Sequence, residues 1–483
     1  MKPRAPNLTW PAGAGVASLR SAARIALMVL AAGLGAASAS SSGASDIRDP
    51  TPEFKVRRKT AIFPDITRAD VTLTIDVAAK RATVAGRMDI EIEEADGGAP
   101  LLDVVPPAAR FVTVDGGERV ALIEVTSPDR RAVMRMVDAV LAEGAHTLDF
   151  EEYALREGTD ATTRTSLEGI SFVDGGFEFQ TDQDDTKPRH FTERFFPSGF
   201  ERDPYPFKVT VNVQNATAAQ SPDVMTNGVK TLVTDGQRFE IAFPEDYNTS
   251  SWFLHVIDRN QFAFATGEYS TSDGRTVPLT AYGPRQADVD LTIAGTKRLI
   301  AEIEADYGPY PQDFFLVAVN TTFNDPEEYV GAAQIRLNAD GDNPIRRSAL
   351  RHELLHMWFG RSARPYEGRD GWVDESIAAW RSDRSEPIEL DGDYVPLAYE
   401  SRYERHTPDE SYDQGTEFSA DLDRLFAGQG GLKPVLRAFH ERYADRFFTT
   451  EDYLAFLREK APDRAKLDEL IEAKVYAGAA PHH

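Results

Sequence analysis

The chain has 483 residues, with 53 Lys and Arg against 78 Asp and Glu, a formal net charge of −25, and no cysteine. Without cysteine there is no disulfide framework, thiolate metal site or thiol nucleophile, so any metal must be held by His, Asp and Glu. The acidic balance, with no run of Lys and Arg to override it, excludes a nucleic-acid binder, and the length suggests two or three domains.

Lys2, Arg4, Arg20 and Arg24 are the only charges before Asp46, and the apolar run Ile25–Leu34 follows them and leads to Ala37-Ser38-Ala39. A positive start, a short apolar segment and a small-residue end predict a cleavable export signal over residues 1–39, with a periplasmic or extracellular destination. The run is shorter than the roughly 20 apolar residues that span a bilayer, so no stable membrane insertion is expected after signal removal. That cleavage removes four positive charges and no negative ones, leaving −29.

Residues 40–64 read as an exposed leader. From Asp70 an alternation sets in, with Val71, Leu73, Ile75 and Val77, then Val84, Met88, Ile90 and Ile92 after a polar reversal near Lys80. This period of two predicts an antiparallel hairpin. Similar runs recur at 111–114, 120–125, 146–150, 207–213 and 239–243, so residues 65–260 are expected to form an antiparallel β-domain. Beyond it the pattern turns helical. Leu291, Ile293, Leu299, Ile300 and Ile303 fall close to a helical period over 287–307, Gly308-Pro309 stops that helix, Phe314–Val319 reads as a buried strand, and helices dominate past Pro344. The overall class is α+β, with residues 261–483 as the second domain.

Asn343-Pro344 is a helix start and Gly360 a natural stop, and between them lies His352-Glu353-Leu354-Leu355-His356. Residues four apart on a helix project from one face, so both imidazoles can hold one zinc ion, while Glu353, beside that face, can reach a water without ligating. A hydrolytic zinc site wants a third protein ligand. Glu375, in the helical segment Trp372–Trp380, follows a turn containing Pro365, Gly368 and Gly371, and the eighteen residues after His356 suffice to bring a second helix alongside. The expected cofactor is one Zn2+ per chain on His352, His356 and Glu375.

This constellation resembles the gluzincin metallopeptidases related to aminopeptidase N. Further segments carry the likeness. Phe179-Gln180-Thr181-Asp182-Gln183, then Arg194-Phe195-Phe196-Pro197 and Asp203-Pro204 through Phe207-Lys208-Val209, resemble a segment of the family's β-domain. Tyr307-Gly308-Pro309-Tyr310-Pro311 is similar to its Gly-x-Tyr-Pro turn, and Tyr412-Asp413-Gln414-Gly415 to its Tyr-Glu-Lys-Gly. The resemblance implies an N-terminal β-domain followed by a thermolysin-like catalytic domain, and makes Tyr412 the donor to the oxyanion of the tetrahedral intermediate. Tyr399, Tyr403 and His406 lie nearby as alternatives. Family aminopeptidases carry Gly-x-Met-Glu-Asn on an edge strand, where the Glu binds the substrate's ammonium. The matching segment is taken as Gly331-Ala332-Ala333-Gln334, so Gly331, Ala332 and Gln334 become the substrate-binding candidates, with Ala333 at the Glu position if the register slips by one. Neither is a carboxylate. Asp182, Asp184, Glu327 and Glu328 are candidate substitutes, read primarily as solvated loop charges. A short form without the family's helical C-terminal domain is expected.

The function expected is hydrolysis of peptide bonds in peptide or protein substrates. Zinc would acidify a water, and Glu353 would take its proton and return it to the leaving amine. The mode is expected to be aminopeptidase-like with altered recognition of the N-terminus. An endopeptidase, another zinc hydrolase on the same fold, and a non-catalytic zinc-binding protein stand as alternatives, and the intact Glu353 argues against the last.

Overall fold

The computed structural model describes residues 51–103, 109–155, 170–172, 176–180, 195–200, 204–234, 237–249, 251–320, 326–336, 344–366, 368–382, 394–398, 403 and 407–477. The export signal, Asp182, Asp184, the Asn343 cap, Tyr399 and His406 lie outside the described residues.

The alternation that begins at Asp70 forms the antiparallel pair Asp65–Asp76 and Arg81–Ile92, with Leu73 opposite Val84. Val71, Leu73, Ile75, Val84, Met88 and Ile90 are buried, since successive strand side chains point to opposite faces and one face here is covered. The reversal uses Lys80 at φ 50°, steadied by Asp76 Oδ1, which accepts from the Ala79 N–H at 3.0 Å. This pair is central in a twelve-stranded sheet, flanked by Gly144–Leu155 and Phe207–Gln214. Phe207–Gln214 runs parallel to Asp65–Asp76, so the sheet is mixed where the sequence suggested a purely antiparallel one. Residues 54–62 are not an exposed leader. They form the strands Phe54–Val56 and Lys59–Ile62 at one edge of this sheet, with Ala61 and Ile62 fully buried. A four-stranded sheet that includes Glu178–Gln180 and Leu254–Asp258 shares one apolar cluster with the large sheet.

Sheet membership changes between Asp258 and Ala263. A five-stranded sheet follows in the order Ala263–Ser270, Thr276–Gly283, Phe315–Asn320, Ala332–Arg336 and Glu327–Tyr329. The outermost strand, Glu327–Tyr329, is antiparallel to its neighbour, whereas the two pairings inside it are parallel. Helix α1 (Gln286–Tyr307) packs on this sheet through Val289, Ile293, Leu299, Ile300 and Ile303, but Leu291 is 53% exposed because it falls off that face. Gly308, at φ 98°, ends α1.

The remaining helices are α2 (Pro344–His356), α3 (Trp372–Arg381), α4 (Gln414–Leu425), α5 (Leu432–Tyr443), α6 (Thr450–Lys460) and α7 (Arg464–Lys474). One apolar cluster joins them to the inner face of the five-stranded sheet, with Trp358 and Trp372 fully buried in it. The architecture is thus α+β, a β-sheet region leading into a sheet-and-helix region. Among the described residues, no helix is long and apolar enough to cross a membrane.

Candidate metal centre

Helix α2 carries His352 and His356 one turn apart, with ring centroids 4.8 Å from each other. The helix ends at His356, short of Gly360. The chain then turns over Trp358–Ala363, where the Ala363 N–H donates to the Trp358 carbonyl at 3.0 Å and Gly360 sits at φ 134°. A Cβ at Gly360 would lie 2.7 Å from Asp374 Oδ2 and 3.2 Å from His356 Nδ1, so only glycine fits there. This turn, anchored by the Trp358 indole N–H on the Gly308 carbonyl at 3.1 Å, lets α3 return beside α2. Glu375 lies in the first turn of α3 and is buried.

The three residues singled out as zinc ligands are brought together. His352 Nε2 is 3.0 Å and His356 Nε2 is 3.6 Å from the same oxygen, Glu375 Oε2. Donors about 2.1 Å from a tetrahedral ion lie about 3.4 Å apart, and the two observed separations bracket that value. His356 Nδ1 faces two acceptors, Asp374 Oδ2 at 3.1 Å and the Phe359 carbonyl at 3.3 Å, so the neutral ring keeps its proton there and leaves Nε2 as the lone pair a metal would take. Among the described residues that Nε2 is buried without a hydrogen-bond partner, as is Glu353 Oε2. Two buried polar atoms with nothing to bond, beside a converging imidazole, imidazole and carboxylate set, fit a zinc ion and the water it would hold.

Sequence reading missed Asp374. A carboxylate behind a ligating histidine fixes its tautomer and orientation, and the signal was present as the residue preceding Glu375. Tyr412 is also at the site. Its ring stacks on His352 with centroids 5.9 Å apart, and Glu375 is among the carboxylates whose charge acts on its hydroxyl. Tyr403 is elsewhere, packed on Phe54 and Phe63 with its hydroxyl donating to the Pro52 carbonyl at 2.9 Å.

The substrate-side candidates need correcting. Gln334 does not reach the cluster. On its strand Ala333 and Ile335 join the core beneath the helices, while Ala332 joins a separate cluster with Tyr329 on the opposite face. Gln334 shares the face of Ala332, because side chains two apart on a strand point the same way. Gly331 takes φ 64° in the turn that joins the two strands. The acid that does arrive is Glu328, which is a buried residue of the edge strand and not a solvated loop charge. It pairs across from Ala333, on the helix-facing side, and ligand-capable atoms of Glu328, Glu353 and His356 lie within 4.8 Å of one another. Glu327, one residue earlier, faces the other way and accepts from the Tyr329 hydroxyl at 2.8 Å. Arg361, unremarked in the sequence, donates from Nη2 to Glu328 Oε1 at 2.7 Å and to the Glu328 carbonyl at 3.0 Å.

Charge crowding sets the electrostatics. Burial, and then the Glu328 carboxylate, push the Glu353 carboxyl well above its ordinary pKa. Burial opposes charging of His356, but Glu328 and Glu375 outweigh it and raise that pKa. Burial likewise opposes ionisation of Glu375, yet His356 and His352 hold it well below the usual carboxylate range. Burial and the nearby carboxylates of Glu375 and Glu328 raise the Tyr412 phenol, keeping it a proton donor. A site this rich in converging carboxylates and imidazoles is built around positive charge.

A β-sheet region leads into a domain that carries H-E-x-x-H on one helix and Glu on the next, a pattern suited to holding zinc. No family model and no curated relative matches the chain. Solved structures do, and those similar to it include M1 zinc metallopeptidases. The M1 zinc metallopeptidase of Deinococcus radiodurans is 17% identical, with a TM-score of 0.59 over 87% of this chain and 95% of that one. Yeast LTA4 hydrolase is 13% identical, with a TM-score of 0.58 over 90% of this chain and 72% of that one. Legionella pneumophila aminopeptidase A, solved with aspartic acid, is 14% identical, with a TM-score of 0.63 over 89% of this chain and 50% of that one. The chain has the two-domain fold of the M1 peptidases.

Proposed function

We propose that this chain is a zinc-dependent metallopeptidase of aminopeptidase type. The observation that carries the proposal is the convergence of His352 Nε2, His356 Nε2 and Glu375 Oε2 beside the buried, unpartnered Glu353 Oε2. His352, His356 and Glu375 hold one Zn2+, and Asp374 holds His356. Bound zinc supplies a Lewis acid that polarises a carbonyl and makes water nucleophilic near neutral pH. Glu353 accepts the proton of the attacking water and delivers it to the leaving amine, a role suited to a carboxylate that sits beside the ligand cluster without belonging to it. The Tyr412 phenol donates to the oxygen that becomes negative on attack.

Glu328 takes the substrate's ammonium in place of Gln334, since its carboxylate is buried beside the base and on the same side of the sheet. A charge-assisted bond of this kind is worth about 1.5–3 kcal/mol, so selection of a free N-terminus is expected and not weakened as the Gln334 register implied. A neighbour solved with a Tyr-Ser-Ala substrate, and another solved as an aminopeptidase, are in keeping with this mode. Export through residues 1–39 is part of the same proposal, supported by the Ala37-Ser38-Ala39 pattern.

Matched peptides with free and acetylated N-termini, assayed with and without a chelator, test the reading. Chelator-sensitive cleavage of the free form alone is the expected result. Equal cleavage of both forms indicates an endopeptidase, and no cleavage of either despite bound zinc indicates a binding protein.

A further inference from the structure

Arg361 takes no part in the scheme above, yet its side chain is 6% exposed and its guanidinium reaches across to Glu328 on the edge strand. A buried ion pair is weak support for stability, because desolvation of both charges offsets most of the attraction and an apolar pair of similar volume does as well. Its place in the chain suggests another use. The Arg361 N–H donates to the carbonyl of His356, a metal-ligand candidate, at 2.8 Å. The turn that allows this depends on Gly360, where no side chain fits. From that anchor the side chain crosses to the sheet and grips Glu328 twice, at the carboxylate and at its own backbone carbonyl. One residue thus ties the end of the metal helix to the edge-strand acid.

We propose that Arg361 is a positioning residue for N-terminus recognition. It fixes one Glu328 oxygen so that the carboxylate stays at a set place beside Glu353 and His356, and the distance between ammonium and scissile carbonyl is thereby held to the metal helix. The inference rests on the aminopeptidase reading of the site. A lysine preserves the charge but presents a point donor on a flexible stem instead of a planar fork, so it restores the grip only in part.

The experiment uses the full zinc-loaded chain, with Arg361→Met, Arg361→Lys and Glu328→Gln, on free and acetylated versions of one peptide. For Arg361→Met the KM for the free-amine peptide is expected to rise about tenfold with kcat little changed, with Arg361→Lys intermediate. Zinc content is expected to stay at one per chain. Adding Arg361→Met to Glu328→Gln is expected to raise KM no further, because both act through one carboxylate. If Arg361→Met fails to fold, the Arg361→Lys series and its pairing with Glu328→Gln carry the test. A wild-type chain that prefers the free amine, with an Arg361 variant that keeps the full KM difference or adds independently to Glu328→Gln, overturns this inference alone. A wild-type chain indifferent to acetylation overturns it together with the aminopeptidase reading.

Discussion

Four carboxylates, those of Glu328, Glu353, Asp374 and Glu375, crowd around the imidazole of His356, and their roles differ by what each faces. Glu375 meets the Nε2 atoms of both histidines, Asp374 meets Nδ1 of His356, Glu328 meets Arg361, and Glu353 Oε2 meets no hydrogen-bond donor. Replacing the carboxylate behind a ligating histidine typically costs 10–100-fold in metal affinity. Asp374→Asn is therefore expected to weaken zinc binding by about that factor, read by competition against a chelator of known affinity. Tyr412→Phe removes one donor to the oxyanion and is expected to lower kcat by about 10²–10³ with zinc content intact, and a change below threefold would assign that role elsewhere. The two histidines and Glu375 were legible in the sequence because their geometry is local, one helical turn and one helix reversal. Asp374 was passed over because its role depends on which imidazole nitrogen faces it, and that is decided by packing.

Among the elements, one strand and one turn set which acid faces the helices. Which of Glu327 and Glu328 faces the helices follows from the pairing of Glu328 with Ala333, and a shift of one residue would exchange them. That register is not legible in the sequence, which is why Gln334 stands there as the first candidate and Glu328 only as a substitute read primarily as loop charge. The same limit applies to residues 54–62, a short hairpin that joins the sheet only where Ala61 and Ile62 pair with Ala99 and Pro100, and to Leu291, which fits a helical period but faces solvent. The long alternation of 71–92 and the α1 pattern were legible because each is repeated over many residues. Gly360 supports the turn that carries Arg361. Gly360→Ala forces a side chain into φ 134° and against Asp374, and is expected to destabilise the fold by about 2 kcal/mol and to weaken zinc binding. A thermal melt and a zinc titration check both effects, and an unchanged melting temperature would contradict the steric account.

For the whole molecule, acid sensitivity follows from His440. Its imidazole is buried, within 3.1 Å of Ser362 Oγ, and burial lowers its pKa from 6.5 to about 4. Between those values the unfolded chain binds a proton that the folded chain does not. The contribution is therefore fully present above about pH 6.5 and lost as pH falls toward 4, by about 3 kcal/mol in total. Urea midpoints taken from pH 7 down to 4.5 are expected to fall, and to fall less in His440→Gln, and parallel curves for the two would remove this histidine as the cause.

In the proposed function one cluster binds zinc and one carboxylate beside it performs the proton transfers. Both parts are read in a single preparation of Glu353→Gln, measured for metal by mass spectrometry and for turnover of a free-amine peptide. One zinc per chain is expected, as in the wild type, with activity lower by about 10²–10⁴. A zinc-loaded Glu353→Gln chain that hydrolyses the peptide at the wild-type rate would contradict it.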